Sequence, residues 1–540
     1  MAKPKTPNQK RKYSELNKRL AKYVMLVESI YEDLNLEAAK IVGITDFTID
    51  SDRPFMWSDY PQTRKRIRDL QERFVEDIGA VIYSGTSEEW KNSNEVQDLL
   101  ANKVLQTYGA TIGKKNYEIL YQPNNDALKA FQQRKDKGFT ISDKLWNQST
   151  LYKQELEEAI SCAIQKGTSA IILSKQISKY LLDFPQLQKD YKERFGKASR
   201  SMDCEYRSIR LAASEINMAY RQAENLRWQQ MDFVVGYEIK LSNNHTCNGK
   251  PFQDICDILA GKYPKDFQWT GWHPLCRCYK IPILKTEEEF WEWDGRSEAT
   301  TASVNEVKDV PDAFKKWVLD NQERISTAKK RNTLPYFLRD NKSVYQKITV
   351  ESSISEIVKR ASSVGDEVQS TAERIAIKNG GYVTPINFKS TTSITRKVIT
   401  EGITPYDIKD AVRTTIIVPK SRIEDVLEEL HKTEGFLRLK RQKPESFMGY
   451  SGNIVNIRTT NGLTAEIQVN TERMIYAKER PEDAKRILGK KRWEEIHNET
   501  GMEGGLGHKY YEQWRILDKS SNEALKIVEK SIEYLSLIHI

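Results

Sequence analysis

The stretch Leu463-Thr-Ala-Glu466-Ile-Gln468-Val-Asn470-Thr471 alternates polar and apolar residues as a half-buried strand does. Glu466, Gln468 and Asn470 therefore share one face, fit to floor a wet cleft, although an edge strand in solvent reads the same way. Upstream, the run from Lys389 to Lys397, with Ser393 and Arg396 inside it, sets three cations and five hydroxyls at the opening of a helix. Cations beside a helix N-terminus can bind a polyphosphate, and a solvated basic helix face has the same composition. Asp410 leads into Arg413-Thr-Thr-Ile-Ile-Val418, a buried-type strand. An acid at a strand start can hold Mg²⁺, which takes hard oxygen ligands, or can simply end a helix.

Two further pieces belong with these. Arg438, Lys440, Arg441 and Lys443 precede Phe447-Met-Gly449-Tyr450-Ser-Gly452. The cations could grip phosphates while Tyr450, lifted by glycines, offers a face on which a base can stack; a solvated hairpin tip is the alternative. Gly505-Leu-Gly507-His508-Lys509-Tyr510 brings His508 onto the last helical stretches. A lone histidine is more often structural than catalytic.

A separate constellation joins His245, Cys247, Cys256 and Asp257 to His273-Pro274-Leu275-Cys276-Arg277-Cys278. Thiolates with imidazole at short spacing suit tetrahedral Zn²⁺, and His245, Cys256, His273, Cys276 and Cys278 are the candidate ligands. Small buried cysteines with a turn shaped by His273-Pro274 are the other reading. Four of the six cysteines fall in this one segment, too few in all for a disulfide scaffold.

The whole chain sets the frame. At 540 residues it is too long for one core, and 39% hydrophobic against 30% charged residues suits folded, helix-rich protein. The balance of 85 basic and 76 acidic residues, net +9, permits nucleotide contacts at patches and implies no general polyanion coating. The basic N-terminus lacks an apolar run of signal-peptide length, and no segment approaches about 18 continuous apolar residues, so no membrane partner is expected. From about Asn8 to Met231 the pattern is helical, with Ile209, Ala212, Ala213, Ile216, Tyr220 and Ala223 forming a core stripe. Strands are expected at Val234 to Leu241 and Tyr279 to Leu284, then a hinge at Ser297 to Lys308 and a helix over Val310 to Arg331. Beyond about residue 345, helices alternate with β-branched strands at Arg413–Val418, Ile454–Thr459 and Leu463–Gln468, the pattern of an α/β domain.

Over roughly residues 130 to 285 the sequence resembles the head-morphogenesis domain of Mu F-like phage minor head proteins. His245, Asp254-Ile255-Cys256-Asp257, Gly261-Lys262, the His273 to Cys278 signature and Ser214-Glu215-Ile216-Asn217 carry that likeness. It implies a virion component at the capsid interior or portal vertex, with portal and capsid proteins as partners. Residues 370 to 517 are similar to the synthetase domain of RelA/SpoT proteins, through Glu466 to Thr471, Met474, Ala477-Lys478-Glu479, Gly449-Tyr450, Lys389, Ser393, Lys397, His508 and Tyr510. That family moves pyrophosphate from ATP to a ribose 3′-hydroxyl. The resemblance implies Mg²⁺ on Asp410 and Glu466, proton removal by Glu466, and Tyr450 stacked on the acceptor base. Lys389, Arg396, Lys397 and Arg413 would offset triphosphate charge, and Lys440, Arg441, Gln468, Asn470 and His508 would complete the substrate contacts. Gly449-Tyr450-Ser451-Gly452-Asn453-Ile454 departs from the family's Gly-Tyr-x-Ser-x-His, which leaves a guanine nucleotide, an adenine nucleotide or a tRNA 3′ end as acceptor. With no His-Asp hydrolase pair upstream of Lys389, a toxin acting in the bacterial host cytoplasm, countered by an immunity protein, is expected. An inert decoration on a structural head protein and an RNA-directed nuclease are the alternatives.

The expected architecture is multidomain. Residues 1–130 form a helical region, 131–290 a mainly α head-morphogenesis domain with a small α+β Cys/His segment, and 291–344 a linker with a helix. Residues 345–540 form an α/β nucleotidyltransferase-like domain with a mixed sheet.

Overall fold

In the computed structural model the long charged stretches with few prolines form the helices Gln9–Ile44, Arg64–Tyr108, Ile141–Ala163 and Cys204–Gln230. The structure describes residues 6–44, 53–109, 114–163, 170–242, 246–247, 250–251, 253–292, 302–442, 447–449, 452–515 and 517–538. The chain divides into two units, Met1–Tyr345 and Gln346–Ile540, largely helical with a mixed sheet in the second. Among the described residues no helix is long and apolar enough to cross a membrane.

In the first unit the helical stripes meet in one core that runs in sequence from Val27 to Ala212 and includes Phe74, Ile78, Tyr152 and Leu156. Residues 1–130 thus do not close a core of their own. The stripe on Cys204–Gln230 is buried at Ala212, Ala213, Ile216, Tyr220 and Ala223, with Ile209 partly covered. A three-stranded antiparallel sheet follows, with Val234–Lys240 between Gly261–Tyr263 and Tyr279–Leu284. The segment expected as a linker is largely built: Asp312–Asp320, Gln322–Lys330 and Tyr336–Arg339 are helical, and the single helix expected over Val310 to Arg331 breaks at Asn321. Its aromatic residues explain the difference. Phe314 packs on Tyr263, Phe267 and Trp272, and Phe337 on Trp272 and Trp317, which is apolar area that a free linker would leave in water.

Two carboxyls give this unit a pH signature. Burial pushes the Glu155 carboxyl up to about 7 although it accepts hydrogen bonds from the Met202 and Cys204 N–H groups, and burial with nearby Glu28 and Asp203 raises Glu205 to about 7. A carboxyl raised on folding stabilises fully below its unfolded value, and that stability is lost as pH rises through the folded value. Each tenfold gain in proton affinity on folding is worth about 1.4 kcal/mol. The thermal transition of the first unit is therefore expected to fall between pH 5 and pH 7.5, and Glu155→Gln to flatten that slope, as read by calorimetry of the full chain.

In the second unit the strand order is Tyr382–Val383, Val412–Ile417, Thr464–Asn470, Gly452–Arg458, Phe436–Gln442, and Asn387–Phe388 also pairs with Val412–Ile417. Among the described strands only Val412–Ile417 and Thr464–Asn470 run parallel. One sheet face is apolar: Thr414, Ile416, Ile467, Val469 and Val455 are buried, together with Val368, Ala372 and Ile375 of helix Gly365–Lys378 and Val426, Leu427 and Leu430 of helix Ile423–His431. Period-2 alternation then forces the intervening residues onto the opposite face.

Candidate active site

That opposite face carries the polar residues of the sheet. Register places Arg413 beside Glu466, Glu466 beside Asn456, and Asn456 beside Arg438, in one row across four strands. The next row on the same face is Thr415, Gln468, Ile454 and Lys440. Glu466 is half-buried, Arg413, Arg438 and Lys440 are exposed, and Asn456 is buried. A carboxylate lies between cations held on rigid strands, which is the charge pattern for binding and aligning a polyanion.

Hydrogen bonds fix the row. Gln468 Nε2 donates to Glu466 Oε1 at 2.7 Å, and Lys478 Nζ donates to Gln468 Oε1 at 2.7 Å. Lys478 comes from helix Glu472–Lys478, whose start is capped by Thr471 Oγ1 accepting from Met474 N–H. On the far side Arg438 Nε donates to Asn456 Oδ1 at 2.7 Å.

A second cluster sits at the start of the Val412–Ile417 strand. Asp410 accepts from Lys389 Nζ and, through Oδ1 at 3.1 Å, from Lys397 Nζ. Lys389 directly follows the short strand Asn387–Phe388, and its N–H donates to the Ala411 carbonyl at 2.9 Å. Lys397 lies on helix Thr391–Glu401, which Ser390 caps by accepting from Ser393 N–H and which buried Ile394 pins to the core. Burial alone would raise the Asp410 carboxyl, but the two lysines outweigh it and hold it below the usual carboxylate range. At neutral pH Asp410 is thus an anion that spaces two ammonium groups. Of the four cations expected to offset triphosphate charge, Lys389 and Lys397 are brought together here, Arg396 is exposed on the same helix as Lys397, and Arg413 is the second residue of the adjoining strand.

Other expected contacts are distributed differently. Arg441 lies one residue out of phase with Arg438 and Lys440 and pairs with both carboxylate oxygens of Glu424, one at 2.7 Å, on helix Ile423–His431. Its odd position in the alternation sends it to the helix-covered face, so it does not join the polar row. His508, on helix Leu506–Arg515, accepts from Arg480 Nε at 3.1 Å through Nε2. Tyr450 lies outside the described residues. The neighbouring turn is described: Gly449 has φ +73°, and a Cβ there would come within 2.7 Å of Ile532 Cα, while Ser531 Oγ donates to the Met448 carbonyl at 2.8 Å.

Sequence reasoning named Arg438 among four cations that could grip phosphates and Lys478 only within the family likeness, gave neither a place in this row, and did not name Asn456. For Arg438 and Asn456 the shared parity with Lys440 and Ile454 was a usable signal; the contact of Lys478 with Gln468 had none, because it depends on how the next helix turns back. It also missed a cavity of about 640 Å³ at the carboxyl ends of the two parallel strands, where open α/β sheets commonly bind ligands. Asn470, Tyr382, Lys420, Gly452, Arg473 and Arg492 line it. Glu472 binds it together, accepting from Tyr382 OH at 3.2 Å and from Arg492 Nε at 2.7 Å.

In the first unit, Cys256, Cys276 and Cys278 bring their sulfur atoms within 4.8 Å of one another, and Asp254 and His273 adjoin Cys256. Such a group could hold a metal ion. His245 lies outside the described residues.

Comparison with known proteins finds no matching family model. The chain is 36% identical over 180 residues to the (p)ppApp synthetase toxin Tas1 of Pseudomonas aeruginosa (strain UCBPP-PA14), a match covering 33% of this chain and 41% of that protein. The chain thus spans about two-fifths of that curated relative. Among solved structures, the complex between the Type VI effector Tas1 and its immunity protein is 35% identical, covering 35% of this chain and 97% of the other with a TM-score of 0.32. The smu.1046c protein of Streptococcus mutans UA159 is 19% identical, covering 33% and 94%, with a TM-score of 0.19.

Proposed function

We propose that the second unit is a RelA/SpoT-like, Mg²⁺-dependent pyrophosphokinase. It transfers pyrophosphate from ATP to the 3′-hydroxyl of a nucleotide and acts as a toxin. The row Arg413, Glu466, Asn456 and Arg438 carries this reading, since it sets a half-buried carboxylate between fixed cations beside the lysine-bracketed Asp410. The 36% identity to a (p)ppApp synthetase toxin, over a length comparable with this unit, supports the same chemistry and favours an adenine nucleotide among the acceptors. Guanine nucleotides and tRNA 3′ ends remain the other acceptor classes.

In the proposed step the 3′-oxygen of the acceptor attacks the β-phosphorus of ATP. The bond from that phosphorus to the α,β-bridging oxygen breaks, AMP leaves, and the hydroxyl proton passes to the Glu466 carboxylate and then to water. Lys389, Lys397 and Arg413 bind the triphosphate and offset charge on the leaving oxygen, which matters because such transfer depends mainly on alignment and electrostatics. Arg396, Ser393 and Lys440 extend the polar rim, and Gln468, anchored by Lys478, orients Glu466. Asp410 and Glu466 offer the hard oxygen donors that Mg²⁺ takes, and the ion when bound would neutralise phosphate charge. Asn470, Arg473 and Arg492 at the strand-end cavity form the acceptor side. His508 is a further substrate contact reached through Arg480.

Incubation of the full chain with β-³²P-labelled ATP and, separately, adenine nucleotides, guanine nucleotides and tRNA tests this reading. Label is expected in an adenine nucleotide; no labelled acceptor of any class, or cleavage of the tRNA, would overturn it. A paired substitution checks the face assignment. Arg438→Ala is expected to lower turnover about tenfold or more by removing a positioned cation. Arg441→Ala leaves turnover unchanged and costs under about 1 kcal/mol, as for an exposed ion pair.

The first unit we read as a Mu F-like head-morphogenesis body that places this cargo in the virion, with portal and capsid proteins as partners and delivery to host cytoplasm, where an immunity protein would oppose it. The supporting observation is convergence of the separated signature pieces. Ser214 Oγ accepts from Leu275 N–H at 3.3 Å, and Asn217 Nδ2 donates to the Cys276 carbonyl at 2.9 Å. Absence of the chain from purified particles would remove this half.

A further inference from the structure

In the first unit three thiols cluster, and an imidazole and a carboxylate adjoin one of them. Cys256 Sγ lies 3.8 Å from Cys276 Sγ and 3.1 Å from His273 Nε2, and Cys278 Sγ is within 4.8 Å of both other sulfurs. A tetrahedral zinc with Zn–S near 2.3 Å spaces two thiolates about 3.8 Å apart and a thiolate and imidazole somewhat less. Each of the three cysteines is about 1% exposed. Apolar packing would account for burial but not for sulfur atoms facing one another, a ring nitrogen and an acid.

We propose that Cys256, Cys276, Cys278 and His273 bind one Zn²⁺ as a closed structural site. The backbone around the ligands is held by hydrogen bonds that do not involve the sulfur atoms, which is what preorganisation of a metal site requires. Cys256 opens helix Ile255–Leu259, where Asp254 and Asp257 form a reciprocal cap: Cys256 N–H donates to Asp254 Oδ1 at 2.7 Å and Asp254 N–H to Asp257 Oδ2 at 2.8 Å. Cys276 closes a turn through its N–H to the His273 carbonyl at 3.1 Å, with Leu275 at φ 62°. Buried Arg221 donates to the carbonyls of Cys276 and Cys278, each at 2.7 Å, and to that of Thr270 at 3.0 Å. These bonds fix the loop whether or not its sulfur atoms move.

The histidine tautomer fits the same reading. Nδ1 of His273 is 2.7 Å from the Pro274 carbonyl oxygen, which can only accept, so Nδ1 carries the proton and Nε2 presents its lone pair toward Cys256. Asp254 Oδ2 lies 3.3 Å from the same Nε2 and adds negative charge that favours a cation there. His273 groups with Cys256 and Asp254, outside the 4.8 Å cluster of the three sulfur atoms, so a side-chain shift on binding brings its Nε2 in as the fourth ligand, and a set of three thiolates and one imidazole selects zinc over harder cations. His245 is not needed to complete the set.

The purified full chain, kept reduced, is expected to contain about one equivalent of zinc by elemental analysis. Chelation should raise the count of reactive thiols by three, and Co²⁺ substitution should give thiolate-to-cobalt charge transfer with the intense ligand-field bands of a tetrahedral site. Cys278→Ser should lose most of the metal. Because that variant could unfold the segment, His273→Cys is the second test: it should keep one equivalent and strengthen the charge-transfer band. Metal at trace level in the reduced chain would overturn the proposal. So would a cobalt form without thiolate charge transfer, or a His273→Cys chain whose charge-transfer intensity is unchanged.

Discussion

Glu466→Gln is expected to lower the transfer rate by roughly 10²–10⁴-fold, the range for loss of a positioned general base. The substitution is nearly isosteric and the position is half-buried, so the fold should persist. Gln468 Nε2 can still donate to the remaining side-chain oxygen, which leaves the Gln468–Lys478 relay in place. In the proposed mechanism Lys389, Lys397 and Arg413 bind the triphosphate, so at saturating Mg²⁺ KM for ATP should change little while kcat falls, and the Mg²⁺ concentration needed for half-maximal rate should rise because Glu466 is also a proposed ligand. Loss of an interaction made only as the proton leaves is read in that way. Steady-state kinetics of the full chain check both numbers, and bacterial toxicity should disappear with kcat.

The largest stability effect is expected in the other unit. Lys280 and Glu224 form an ion pair at 3.2 Å with both side chains wholly buried, Tyr13 OH donates to Glu224 Oε2 at 2.6 Å, and Lys280 also donates to Asn225. Burial, partly offset by Glu224, lowers the Lys280 ammonium to about 8. Lys280→Met leaves the Glu224 carboxylate buried without its ammonium partner, a change that costs roughly 3–5 kcal/mol. Calorimetry should show the transition of the first unit falling by several degrees. Exchanging both partners for apolar residues of similar volume should recover much of the loss, because desolvation then disappears on both sides.

Local periodicity made much of the fold legible. Strands expected at Arg413–Val418, Ile454–Thr459 and Leu463–Gln468 are found at Val412–Ile417, Gly452–Arg458 and Thr464–Asn470, since alternation reports which residues face the core. Pairing was not legible. The parallel contact of Arg413 with Glu466 joins strands far apart in sequence, and nothing local specifies it. Arg441 shows the cost of reading charge without parity: its neighbours Arg438 and Lys440 face the polar row while it turns to Glu424. The contact of Lys478 with Gln468 and the strand-end cavity were invisible for the same reason as the pairing, because both arise where a helix returns to a sheet edge. In the first unit, clustering exposed the cysteines, but only the folded geometry shows three sulfur atoms meeting, His273 beside Cys256, and Arg221 holding their loop. Aromatic residues from Phe314 to Phe337 carried a packing signal that was obscured by the Ser, Thr and Ala stretch before them.

The central claim is that the second unit moves an intact pyrophosphoryl group. It is tested most directly by stoichiometry, with the full chain, Mg²⁺, ATP and an adenine nucleotide resolved by chromatography and mass spectrometry. One AMP formed for each acceptor that gains two phosphates at its 3′ position is the predicted result. ADP with free phosphate as the products, or an unchanged nucleotide pool, would contradict it.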